Sequence, residues 1–188
     1  MAKIVLPLRG GPPPEPPYGG LGEEGWARGL TFYDFVNRAA ENRAELESAY
    51  RDCPVSTTLG PALASYPRAV RVLALLDDGD WRSRQLVARA ERLFTLSTRI
   101  WMRIFDARSC ADLVARYAPG GKRLPVLVFF GEDQQEFARH HLTEAGTASE
   151  PGLSSSAPDG TRSAEADDAL QTVDALQRLL AKYATAAS

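Results

Sequence analysis

The run AVRVLALL at residues 69–76 constrains this chain more than any other stretch. It is rich in Val and Leu and apolar at nearly every position, with Arg71 the exception. A strand of that composition has no wet face, so it must lie inside a sheet covered on both sides. That requirement selects an α/β architecture with helices above and below a central strand. The next residues, DDGDWRSRQLVARA (77–90), open with an acidic turn and continue at helical spacing. Leu86, Ala90, Leu93 and Phe94 fall on one side of the helix over 81–95, with Arg84, Arg89, Glu91 and Arg92 elsewhere.

Three more strands follow from the same logic. RIWMRIF (99–105) and RLPVLVFF (123–130) are short apolar runs, and QEFARHHL (135–142) alternates as a half-exposed strand does. The polar turn Gly131-Glu132-Asp133-Gln134 joins the last two as a hairpin. Between strands two and three, Ser109 with Asp112 opens a helix whose core side is Leu113, Val114 and Tyr117, and Pro119-Gly120-Gly121 stops it. Strands joined through helices are expected to run parallel, with the hairpin adding an antiparallel strand. The prediction is one mixed sheet of about four strands.

A helical preface precedes the sheet. Thr31 is an N-cap with Asp34 three residues on, and Phe32, Phe35, Val36, Ala39, Leu46 and Tyr50 make one apolar face. The residue before a proline resists the α region, so Cys53-Pro54 ends that helix, and a short second helix is expected within 56–66. Residues 1–29, which include GGPPPEPPYGGLG, are expected to be a Pro/Gly-rich flexible tail. The domain is then 30–188: a helical extension over 30–66, the sheet, a flexible Ser/Gly/Pro-rich loop over 146–165 and a C-terminal helix over 166–184.

Composition excludes several classes of function. The 188 residues are 44% hydrophobic and 24% charged with net charge −2, which suits one well-buried core and not a nucleic-acid binder. Cys53 and Cys110 make no Cys-x-x-Cys or zinc spacing, so neither a metal nor a cofactor is expected and a reducing, cytoplasmic setting is. The opening MAKIVLPLRGG is too short in apolar length for a secretory signal, and no run approaches the ~20 apolar residues of a membrane span. No Ser/His/Asp set is placed by spacing, and no phosphate-loop motif is present. His140 and His141 are neighbours on a strand and face opposite ways, which argues against shared metal ligation.

The order of elements, the Trp at the first strand-to-helix turn and the Leu-Pro opening the third strand resemble the thioredoxin-like superfamily. The likeness is to bacterial thioredoxin-family proteins with an N-terminal helical extension, and it runs from about residue 30 to 142. It rests on FYDFVNRAAENRAELESAY, VRVLALL, the acidic turn with Trp81, CADLVARYAPGGKR and the Pro-x-hydrophobic strand. In that family Trp precedes Cys-x-x-Cys, whereas here Trp81 precedes Arg82-Ser83-Arg84-Gln85. Dithiol exchange needs an attacking thiolate and a resolving thiol, and positions 82 and 85 supply neither. The resemblance also implies a cis bond at Leu124-Pro125 beside the former redox turn, with backbone there that pairs with an extended partner chain.

Two functions compete. The first is a redox-inactive binding or scaffold protein for a protein or peptide, using Trp81, Arg82, Arg84, Leu124 and Pro125. The second is a thiol-dependent oxidoreductase or transferase acting through Cys110, a lone thiol in the first turn of a helix. That thiol has two readings: a small buried hydrophobe, which a thiol without a resolving partner more often is, or a reactive group whose pKa the helix terminus depresses. The arginines at the turn have two readings. They form a solvated turn neutralised by Asp77, Asp78 and Asp80, or a pocket where guanidinium groups and helix amides receive an acidic partner residue. In both cases Asp78 or Asp80 is expected to cap the helix.

Overall fold

The computed structural model describes residues 21–39, 41–55, 57, 59–121 and 124–141. The run at the centre of the sequence becomes β1 (Val70–Leu76), buried at every position, Arg71 included. Its neighbours are β2 (Ile100–Asp106), β3 (Val126–Phe130) and β4 (Glu136–His141), and the sheet order is β2-β1-β3-β4. β1 and β2 are parallel, while β1/β3 and β3/β4 are antiparallel. The fold is therefore α/β, a four-stranded mixed sheet flanked by helices.

Length decides where the sheet reverses. The helix after β1, α5 (Trp81–Phe94), has 14 residues and β1 has 7. The helix thus spans ~21 Å and the strand ~23 Å, so α5 returns the chain to the starting end of the sheet and β2 enters parallel. The helix after β2, α6 (Ala111–Tyr117), has only 7 residues and ends in a 3-10 turn with Gly120 at φ 70°. At ~10 Å it cannot carry the chain back along a strand. β3 therefore enters near the end where β2 left, and it runs antiparallel to β1, correcting the expectation that strands joined through helices are all parallel. The β3–β4 hairpin forms as expected, with Gln134 in the left-handed region at φ 65°.

Alternation along β1 divides the core. Val70, Val72, Ala74 and Leu76 face a layer that includes Leu86, Val87, Ala90, Leu93 and Phe94 of α5. The helical preface packs on the same side, as α2 (Phe32–Arg38), α3 (Arg43–Arg51) and α4 (Leu59–Ala64). Leu73 and Leu75 face Leu113 and Tyr117 of α6 together with Trp26. The single helix expected from Thr31 to Cys53 is two helices. The apolar stripe has polar Asn42 and Arg43 between Ala39 and Leu46, and Ala39 leaves the helical region at ψ 55°. Thr31 does cap α2, accepting the Asp34 amide at 3.1 Å.

The tail expected over 1–29 also needs correction where it is described. Gly22–Ala27 is a helix, α1, and Trp26 is buried to 4% exposure with the Arg71 guanidinium 5.3 Å from its ring centroid. An indole over a guanidinium is a favourable pair that covers the one charge inside β1. Gly29 brings this segment to the sheet. A Cβ there would lie 2.6 Å from Phe105 and 2.8 Å from Arg103, and the close approach lets Leu30 form a bridge to Ile104. The loop expected over 146–165 and the helix over 166–184 lie outside the described residues. No described helix is long and apolar enough to cross a membrane.

Candidate functional site

Strand register gathers the candidate residues at one end of the sheet. β1 ends with Leu76 opposite Asp106, and Leu75 pairs with Val126, which directly follows Leu124-Pro125. The 77–80 turn, the 106–110 loop and the mouth of β3 therefore share the carboxyl end of the two parallel strands. Ligands in open α/β sheets bind at that end, because loops and helix N-termini converge there. The Leu124-Pro125 bond is cis, as the resemblance implies. Pro125 is buried, and Leu124 packs half-buried against the Trp26 side of the core.

Asp80 sets the start of α5. Its carboxylate accepts the Arg82 amide at 3.3 Å, the Ser83 amide at 3.1 Å and the Ser83 hydroxyl. Burial acts to raise the Asp80 pKa, but these hydrogen bonds and the Arg82 charge outweigh it and hold the carboxyl below its ordinary value. Of the two aspartates expected to cap the helix, Asp80 does so. Trp81 is the first residue of the helix and stays 41% exposed, with the Arg82 guanidinium carbon 5.5 Å from the ring centroid. Arg84 turns back and donates to the Asp78 carbonyl, so it braces the turn.

Three residues of the site carry no signal of their role in the sequence: Ser83, Asp106 and Arg108. Arg108 crosses Gly79 to pair with Asp77 at 2.8 Å. Asp106 accepts the Arg108 amide at 3.2 Å, the Ser109 hydroxyl at 3.0 Å and the Asp78 amide at 3.5 Å. These bonds tie the loop after β2 to the turn after β1. The links between the two loops join residues about thirty positions apart, so only the register of the parallel strands brings them together. Ser109 is thereby withdrawn from α6, whose N-cap is Cys110 with no side-chain cap bond.

The cysteines behave as core residues. Cys110 is 8% exposed, and burial pushes its thiol pKa up against the opposing charge of Arg28. The buried-hydrophobe reading of Cys110 holds and the depressed-pKa reading does not, because desolvation disfavours the thiolate more than the nearby cation favours it. Cys53 is raised by burial too, and its thiol lies 3.7 Å from the Arg89 carbonyl. The two belong to opposite sides of the sheet and both are free, so no bridge joins them. His140 and His141 pair with Leu127 and Val126 along β4, adjacent and therefore on opposite faces.

No family model matches the sequence, and no curated protein matches it. Solved structures do match in three dimensions. One is an HIV epitope-scaffold at TM-score 0.65 and 15% identity, covering 84% of this chain and 95% of that one. Another is a protein of unknown function from Pseudomonas aeruginosa at TM-score 0.60 and 16% identity, covering 85% of this chain and 92% of that one. The likeness is one of fold.

Proposed function

We propose that this chain is a redox-inactive thioredoxin-like protein that binds an extended protein or peptide segment at the carboxyl end of its parallel strands. The observation that carries the reading is the company Trp81 keeps. It stands exposed on the first turn of α5, at the sheet end shared with Leu124-Pro125, where positions 82 and 85 hold Arg and Gln instead of thiols. The thioredoxin-like assignment is supported by the order β2-β1-β3-β4, the parallel β1/β2 pair and the cis Leu124-Pro125 bond before β3. The segment would pair its main chain at 124–125 and lay a side chain on the indole, whose large apolar face gains most when desolvated. The two free cysteines support a reducing, cytoplasmic setting.

Cys110 is a poor candidate for the rival thiol chemistry, being buried with a raised pKa. Two measurements test the reading. Insulin reduction by dithiothreitol should proceed no faster with the protein than without it. Acceleration that disappears in Cys110→Ser would establish the thiol route instead. A phage-displayed random peptide library selected on the full chain, then counter-selected on Trp81→Ala, should yield sequences that need Trp81. Recovery of none would overturn the binding reading.

A further inference from the structure

The charges around Trp81 narrow the chemistry of the segment it would take, an inference that rests on the binding reading above. The turn and its neighbouring loop carry four carboxylates, Asp77, Asp78, Asp80 and Asp106, against three guanidinium groups, Arg82, Arg84 and Arg108. Four against three leaves a balance of −1, which does not favour an acidic ligand.

Most of these charges are already committed. Arg84 holds the Asp78 carbonyl, Arg108 holds Asp77, and Arg82 lies over the Trp81 ring. Asp80 is taken by the Ser83 hydroxyl and two amides, and Asp106 by two amides and the Ser109 hydroxyl. The helix amides that an anion would seek are those Asp80 occupies. An acidic residue entering here would have to displace a carboxylate or pull Arg84 or Arg108 from its partner. The Asp78 carboxylate differs from the rest. It is exposed, and among the described residues it makes no hydrogen bond or ion pair, while its own amide and carbonyl are held by Asp106 and Arg84. Its backbone is thus fixed three residues before Trp81, and its carboxylate is an exposed negative charge on the same turn with no partner among the described residues.

We infer that Asp78 is a specificity-determining residue, and that the segment bound at Trp81 carries a large apolar side chain beside a Lys or Arg. An exposed pair of this kind contributes up to about five-fold in affinity, enough to bias selection without dominating it. The test uses peptides recovered from the random library on the wild-type chain and dependent on Trp81. They should be enriched in Lys and Arg and depleted in Asp and Glu. Asp78→Asn should weaken them by up to about five-fold with less salt dependence, and Asp78→Lys should turn the enrichment towards acidic peptides. Because the Asp78 side chain is exposed and unbonded, both variants keep the fold. Trp81-dependent peptides that are acidic, or whose composition does not change in Asp78→Lys, would overturn the inference and leave the binding reading standing. A library that yields no Trp81-dependent peptide overturns both.

Discussion

Asp80 accepts three hydrogen bonds through one carboxylate, and that makes it the most informative single residue of the site. Asp80→Ala strips the cap from α5 and should cost about 1 kcal/mol. Asp80→Asn keeps one oxygen, enough for the Ser83 amide and hydroxyl that share Oδ2, but loses the second acceptor used by the Arg82 amide and the charge beside Arg82. The sign of the pH effect comes from the depressed pKa. A carboxyl whose folded pKa lies below its unfolded value stabilises the fold above the unfolded value, near pH 3.9, and loses that contribution as pH falls through the folded value. Urea denaturation of wild type and Asp80→Asn should show wild type ahead at neutral pH, with the gap closing below about pH 4. A gap that stays constant across that range would mean the charge contributes nothing and the hydrogen bonds everything. Ser83 explains why the sequence concealed this. A serine after Trp-Arg looks solvent-facing in a string of polar residues, yet it is buried because its hydroxyl has the cap for a partner.

Helix and strand lengths carried the information that single motifs did not. The four strands were legible because apolar runs of that length have few other uses, and α5 because its stripe continues for four turns. The antiparallel entry of β3 was written in the shortness of α6, and the break at 39–42 in the polar pair that interrupts the apolar stripe. The candidate site was legible in Trp81 and Leu124-Pro125 but not in Asp106 and Arg108, which reach partners distant in sequence. The start of α5 also predicts how far the lost chemistry can be restored. Arg82→Cys with Gln85→Cys places two thiols one helical turn apart, and insulin reduction should then rise above the dithiothreitol blank. The rise should be modest, since Asp80 already holds the Arg82 and Ser83 amides and its charge opposes a thiolate at position 82. Adding Asp80→Asn should increase turnover further. A folded double-cysteine variant that forms no disulfide by thiol titration would show that positions 82 and 85 are not the equivalents of a redox pair.

At the scale of the whole molecule, the two sides of the sheet are covered unequally. One side carries α2 to α5, while among the described residues the other rests on α6 and on α1, a helix of six residues that composition had assigned to a tail. The Pro/Gly-rich run over 10–22 made the stretch up to 29 look unstructured, and Trp26 was the overlooked signal, a large side chain with no reason to sit in a solvated tail. It is buried in the same cluster as Leu73 and Leu75 and against the Arg71 guanidinium, so α1 is held by tertiary packing, since a helix of that length is not stable alone. Trp26→Ala should therefore act on the entire domain. Removing a buried indole costs about 3–5 kcal/mol, and Arg71 also loses its aromatic cover inside the sheet. Urea unfolding should show stability falling by that amount with the slope preserved, because the fold lost on denaturation is still the same cooperative unit. Trp26→Phe, which keeps an aromatic face for the guanidinium, should recover part of the loss. A cost below about 1 kcal/mol in Trp26→Ala would return α1 to the status of a tail and leave Arg71 to be covered by some other part of the chain.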